Sequence, residues 1–322
     1  MTRFNAGRSL DHLFNSRGLL VRNASIAQST RDVAAPVPAS VRRTAGTATR
    51  RVVPEHEAEV LAFLAARPTH TAIMGGLIRD NGIINPLNRG WFYVYRTWRG
   101  VIEGVALIGH VTLVEARSRA ALEAFAFAAQ KSSNVHVIMA ETDQTELFWR
   151  YYQPCGHRPR RLCRELLFEQ RAPLERRQPV NGLRQATQAD LSSVMQVQAQ
   201  MAFAESGVNP MQIDPEGFRR RCARRIEQGR VWVWVEGGRL IFKADIMADT
   251  PEVNYLEGVW INPQERRQGY GLRCMSHLAE KLLTKTKSIT VLVNQRARES
   301  HAFYRRAGYR FSSYYDTIYP RY

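Results

Sequence analysis

No stretch of this chain stays apolar for the roughly 18 residues that a membrane-crossing helix needs, so no membrane span is expected. Cysteine is scarce. Cys155, Cys163, Cys222 and Cys274 lack the Cys-x-x-Cys spacing of a zinc ribbon or dithiol redox centre, which predicts reduced, structural thiols. The eight histidines include no pair four residues apart that would set two ligands on one helical face, and no structural or catalytic metal is expected. A secretory signal is missing too, because no continuous apolar core follows the first arginines, and a cytoplasmic protein is the expectation. Acidic residues are few: 29 Asp and Glu stand against 46 Lys and Arg, for a formal charge of +17. Such a charge attracts polyanions of any kind. The sequence carries no zinc finger, recognition-helix signature or RNP-like aromatic strand, so nucleic acid is not the expected partner; a phosphate-rich cofactor is an equally good sink for the charge.

What is present is length enough for two units, since 322 residues exceed a usual single domain. Residues 1–50 hold eight arginines against Asp11 and Asp32, broken by Pro36 and Pro38. They read as a disordered basic tail, a composition that an organelle transit peptide shares. A globular pattern covers 51–170. It runs as a helix over Glu55–Ala66, strand runs Trp91–Trp98 and Val101–Glu115, a helix Ser118–Lys131, a strand Val135–Ala140, a short helix Thr145–Tyr152 and a strand Leu162–Phe168. After a charged linker, 171–180, the segment 181–322 repeats that order. Its elements are strand Leu183–Ala186, helices Asp190–Ala202 and Asp214–Gln228, strands Val231–Glu236, Arg239–Met247 and Val253–Ile261, helix Gly271–Leu283, strand Ile289–Asn294, helix Glu299–Ala307 and a last strand Phe311–Ile318. The fold class is α+β: two tandem units, each a mixed, mostly antiparallel sheet flanked by helices.

The stretch Val259-Trp260-Ile261-Asn262-Pro263-Gln264-Glu265-Arg266-Arg267-Gln268-Gly269-Tyr270-Gly271 is a strand ending in a polar loop that opens into an amphipathic helix, with Leu272, Met275, Ala279 and Leu282 as its buried stripe. Successive backbone N–H groups at a helix start, with Gly269 and Gly271 removing side-chain obstruction, form a nest that favours a pyrophosphate. Arg266 and Arg267 add positive charge nearby.

These residues resemble the GNAT acetyltransferase superfamily, whose signature of Gln or Arg, two residues, Gly, one residue, then Gly or Ala is met by Arg266, Gly269 and Gly271. Asn294 and the segment Ala302-Phe303-Tyr304-Arg305-Arg306-Ala307-Gly308-Tyr309 are similar to later elements of the same family. The resemblance implies that acetyl-CoA is the cosubstrate, lying where strands 253–261 and 289–294 splay apart. The backbone of Val259, Trp260 and Ile261 would meet pantetheine, and Arg266, Arg267, Gln268, Gly269, Tyr270, Gly271 and Leu272 the phosphates. It implies Tyr304 as general acid, a phenol of ordinary pKa ~10. A lysine-like amine titrates near ~10.4 and needs a base at neutral pH. Glu257 is the candidate, on a strand where it shares parity with Tyr255, Val259 and Ile261; the alternative is a structural ion pair with Lys243. The family often has a second Asn three residues beyond Asn294, where this chain has Ala297.

Lys243 and Asp245 share a strand face and either line the cleft or pair with each other. Glu205 and Asp214, between the first two helices of the second unit, are positioned to attract a cationic acceptor: an amine-bearing small molecule or a protein lysine. In the first unit the matching loop, Glu115-Ala116-Arg117-Ser118-Arg119-Ala120-Ala121-Leu122, has no glycine, and Phe148 to Gly156 only faintly echoes the Tyr304 segment. That unit reads as degenerate. Phe242-Lys243-Ala244 and Gly258-Val259-Trp260 are similar to a bacterial tandem group in which an uncharacterised amino-terminal domain precedes the GNAT domain. An alternative to the enzyme is a catalytically silent acyl-CoA-binding module.

Overall fold

The computed structural model describes residues 48–153, 159–174 and 180–321, with the side chains of 48, 205 and 206 excepted. The expected tail up to Thr47, Cys155 and the middle of the 171–180 linker lie outside the described residues. In chain order the elements are β1 (Ala48–Arg51), α1 (Glu57–Ala65), α2 (Pro68–Asn81), β2 (Gly90–Arg96), β3 (Ile102–Gly109), β4 (Val111–Ala116), α3 (Arg119–Gln130), β5 (Val137–Glu141), α4 (Thr142–Tyr152) and β6 (Arg161–Gln170). Then come β7 (Leu183–Gln185), α5 (Leu191–Ser206), α6 (Pro210–Ile213), α7 (Pro215–Glu227), β8 (Val231–Glu236), β9 (Arg239–Asp249), β10 (Val253–Ile261), α8 (Tyr270–Leu282), β11 (Ser288–Asn294), α9 (Arg298–Arg306) and β12 (Arg310–Tyr319).

Two expectations are corrected. Residues 48–50 are not tail: with Arg51 they form β1, paired antiparallel with β2. The run 101–115 is two strands, because Gly109 passes so close to Arg89 that a Cβ there would fall 2.3 Å from its carbonyl oxygen, and the chain turns at His110. Helix α2 has no counterpart in the sequence reading, which assigns nothing between Ala66 and Trp91; it begins with a proline, a residue suited to a first helical turn.

All strands join one 12-stranded sheet in the order β1-β2-β3-β4-β5-β12-β6-β11-β10-β9-β8-β7. β4 with β5 and β10 with β11 run parallel, joined by crossover helices α3 and α8; the other ladders are antiparallel. At the centre the halves exchange their last strands. β6, which ends the first half, pairs with β11 of the second, and β12, which ends the second, pairs with β5 of the first. β6 and β12 pair with each other between them. The core is shared accordingly: Val60, Met74, Phe92, Leu107 and Met139 pack in one cluster with Ala248, Val253, Tyr255, Leu292 and Tyr315. Helix α2 lies across β9 and β10 of the other half so closely that a Cβ on Gly76 would sit 2.7 Å from that of Ala248. On the opposite face α8 and α9 cover β9, β10 and β11 through Met275, Leu278, Phe303 and Tyr304.

Candidate active site

The parallel ladder between β10 and β11 runs from Val253–Ser288 to Leu256–Val291 and stops, although β10 continues to Ile261 and β11 to Asn294. β11 stays with β6 over that stretch, pairing Leu292 with Leu167 and Asn294 with Glu165, while β10 stays with β9. The two strands therefore part at the level of Glu257, which is the expected splay. A bulge sharpens it. Glu257 opposes Asp245 and Trp260 opposes Lys243, so one extra residue is accommodated, with Gly258 at φ +57° in the left-handed region that a side chain disfavours. The bulge corrects the simple alternation read from the sequence. Val259 and Ile261 turn with Leu256 toward α8, whereas Glu257 stays with Tyr255 on the other face.

Beyond Ile261 the loop is braced from within: the Asn262 side chain accepts from the Gln264 amide at 3.1 Å, Gln268 donates to Glu265 at 3.1 Å, and Arg266 Nε donates to the Ile261 carbonyl at 3.2 Å. Partial burial lowers the Arg266 pKa. Arg267 (φ +65°) and Gly269 (φ +80°) fold the chain back, and α8 begins at Tyr270, whose ring meets Trp234 edge-on. Gly269 is the N-cap and brings no side chain to the helix start, and a Cβ there would meet nothing within 4 Å. The start of α8 thus has no side-chain cap from its N-cap residue, the condition that leaves first-turn amides available to an anion. Gly271 serves another need than the one read from the sequence: a Cβ there would lie 2.2 Å from Ile261 Cδ1, so it lets the helix start against the strand end. Leu272 packs at the edge of the core beside them.

Tyr304, on α9, is fully buried against Phe168, Phe303 and Tyr309, and its hydroxyl has no hydrogen-bond partner among the described residues. Burial raises its pKa above the usual phenol value. An orphaned buried hydroxyl is rare enough to need a reason. Asn294 sits at the end of β11, where its side-chain oxygen accepts from the Arg296 amide at 2.9 Å and its carbonyl meets His301 Nε2 at 2.9 Å. Ala297 is the N-cap of α9.

Of the acceptor candidates, Lys243 is fully buried and bound to Asp245 (2.6 Å) and Gln198 of α5 (2.8 Å), so its ion pair is with Asp245 rather than with Glu257. Asp214 caps α7, accepting from the Gly217 amide at 2.9 Å and pairing with Arg221 at 3.1 Å. The Glu205 side chain lies outside the described residues. The sequence reading missed Tyr255, Glu165 and Gln198. Of these, Glu165 leaves a trace: a carboxylate between Arg164 and the apolar Leu166-Leu167-Phe168 of the expected strand.

The first half repeats the geometry and blocks it. Its parallel ladder ends at Leu113–Met139, but there Arg67 pairs with Glu115 of β4 at 2.9 Å and also with Glu141 of β5, bridging the parted strands. Ser118 caps α3, accepting from the Ala121 amide at 3.3 Å, where α8 has only Gly269.

Residues 198–309 match the model of the acetyltransferase (GNAT) family. Among solved structures the chain is similar to a GNAT-family acetyltransferase from Colwellia psychrerythraea (13% identity, TM-score 0.54, 85% of this chain and 99% of that one). It is similar to a Drosophila protein (12%, TM-score 0.57, 86% and 99%) and to a tandem GNAT protein of the clavulanic acid biosynthesis pathway (11%, TM-score 0.53, 84% and 97%). At these identities the likeness is one of fold. No protein of curated function matches the chain. The second half thus carries a GNAT domain, and the chain as a whole has the fold of tandem GNAT proteins. Among the described residues no helix is long and apolar enough to cross a membrane, and no cluster of metal-ligating side chains occurs.

Proposed function

We propose that the second half is an acetyl-CoA-dependent N-acetyltransferase that passes an acetyl group directly to a primary amine, on a small molecule or a protein lysine. The observation that carries this reading is the junction at which the β10–β11 ladder stops, leading one way to the uncapped start of α8 and the other to the orphaned Tyr304 hydroxyl. The residues suit the cosubstrate: uncapped amides for a diphosphate, Arg267 on the same loop, and a strand end past its last ladder partner for an amide-bearing arm.

When bound, acetyl-CoA supplies an acyl carbon activated as a thioester. Glu257 takes the proton that the amine nitrogen gives up as the new C–N bond forms. Burial keeps the Tyr304 phenol protonated at neutral pH, and its O–H donates to the sulfur as the C–S bond breaks. Shielding from water strengthens both transfers.

Calorimetry of the full chain with acetyl-CoA, followed by thiol release with spermidine, L-lysine, glucosamine and a lysine peptide as probe amines, tests the reading. Binding that weakens at least tenfold in Gly269→Val, together with thiol release from one of the probes, is the expected result. Absent binding, or binding indifferent to Gly269→Val, overturns it. Binding without thiol release from any amine selects the silent acyl-CoA module instead.

A further inference from the structure

Lysine is rare in this chain: only five of the 46 basic side chains are lysines, and four of them, Lys131, Lys281, Lys285 and Lys287, are exposed. Lys243, the fifth, is fully buried. It lies on β9 opposite Trp260 of β10, and its Nζ donates to Asp245 Oδ2 at 2.6 Å and to Gln198 Oε1 at 2.8 Å. All three groups gather at the bulge. A Cβ on Gly258 would lie 3.1 Å from Lys243 Nζ, 3.1 Å from Asp245 Oδ2 and 3.5 Å from Gln198 Oε1. Gly258 follows closely on Leu256–Val291, the last pair of the β10–β11 ladder, so the ammonium stands beside the point where the strands part. Bracing alone does not explain the choice of residue, since a buried ion pair is often replaced by apolar side chains of like shape without loss of stability. An arginine, the usual cation of this chain, takes no acetyl group, whereas a lysine amine does.

We infer that Lys243 is a self-acetylation site: its Nζ takes one acetyl group from acetyl-CoA at the β10–β11 parting and keeps it as an amide. This rests on reading that parting as the cosubstrate site. One proton of the ammonium passes to Asp245 Oδ2, its partner at 2.6 Å, and from there to water. The neutral nitrogen then attacks the thioester carbonyl carbon. The C–N bond forms and the C–S bond breaks, with its electron pair left on the sulfur, which takes the proton of the Tyr304 phenol. The second nitrogen proton restores that phenol, so one acetyl group moves, one thiol leaves and one proton is released. Gly258 puts no side chain between the end of the ladder and the ammonium. An amide does not hand on its acyl group as a thioester does, so Lys243 is marked once per chain and is not an intermediate. The mark removes the cation of the buried pair. Asp245 then keeps Arg225 of α7 at 3.7 Å, and the brace on the strand pair that carries Glu257 is loosened.

The test needs no acceptor. Full-length protein is incubated with acetyl-CoA carrying a deuterated acetyl group, then denatured and cut with trypsin, which cleaves after lysine but not after acetyllysine. Label on Lys243, read by mass spectrometry as the uncut peptide 240–266, is expected about tenfold faster than on the exposed Lys131, Lys281, Lys285 and Lys287, because this amine is held at the parting. The labelled fraction is expected to melt about 5 °C lower in calorimetry, since a buried pair has lost one partner. Gly269→Val, which leaves Lys243 in place, is expected to slow the Lys243 label about tenfold and to leave the exposed lysines unchanged. Label on Lys243 no faster than on the exposed lysines, or equally fast in Gly269→Val, overturns the inference as adventitious solution chemistry. Complete cleavage after Lys243 in protein that binds acetyl-CoA overturns this inference alone, whereas absent binding overturns the cosubstrate reading and this inference with it.

Discussion

Tyr304→Phe deletes one oxygen from a fully buried ring whose hydroxyl has no partner among the described residues. A buried hydroxyl left without a hydrogen bond costs about 1–3 kcal/mol relative to water, and the ring's packing against Phe168, Phe303 and Tyr309 is retained. The variant is therefore expected to be more stable than wild type by about 1 kcal/mol, which in a chain of this length raises Tm by about 2 °C. Turnover should move the opposite way. Removing a general acid lowers kcat by roughly 10²–10⁴-fold, equivalent to about 3–5 kcal/mol of barrier, while acetyl-CoA affinity stays within about twofold because α8 is untouched. Differential scanning calorimetry, acetyl-CoA titration and thiol release measured on one preparation separate the three quantities. A kcat within threefold of wild type, or a lower Tm with turnover lost, would refute the assignment: the first removes the acid and the second makes Tyr304 a packing residue.

Lys243→Met should destabilise the fold by about 3 kcal/mol, the lower end for breaking a buried pair, because Arg225 at 3.7 Å still compensates Asp245. Adding Asp245→Asn should recover part of that loss in urea unfolding; a single variant within about 0.5 kcal/mol of wild type would contradict a buried pair that braces the bulge. Asp190 closes the capping box before α5 and is bound by Arg184, which lowers its pKa to about 2. Since the folded-state value lies below the unfolded one, its contribution is full above about pH 4 and fades as pH falls toward 2. Asp190→Asn should therefore cost stability at pH 7 and flatten the loss between about pH 4 and 2, as read by acid-induced unfolding followed by circular dichroism.

Much of the second half is legible in its sequence because local chemistry and tertiary environment agree there. Strand β10 and strand β8 lie where alternation and β-branched residues set them, and α8 starts within a residue of its glycine signal. The first half hides more. In α2, Gly75 and Gly76 argue against a helix by propensity, yet Gly76 is there because the helix presses on the Ala248 backbone with no room for a methyl group. The bulge at Gly258 is equally silent, since a strand of nine residues reads as continuous alternation until the register is known. Glu165 shows why pairing across the chain is hardest to read: the strand is evident, but its neighbours β11 and β12 are set by long-range topology.

The two parallel ladders also show how one fold comes to hold one open cleft. Each half brings two strands together and parts them at a comparable level, so the backbone alone would offer two sites. Side chains decide between them. Arg67 joins Glu115 to Glu141 across the first parting, and burial acting on Glu115 raises its pKa against the pull of the arginine, so the bridge is held by charge in a place that disfavours charge. Such a bridge is costly to remove by halves, which makes the closure durable. At the same time α3 spends its first amides on Ser118, whereas α8 has no side-chain cap from Gly269. The first half, its own parting bridged by Arg67, supplies α2 and β6 to the face of the second where Glu257 and Tyr255 stand. The loop before α3 carries no glycine while the strands around it are buried, so the first half keeps the sheet without an open helix start.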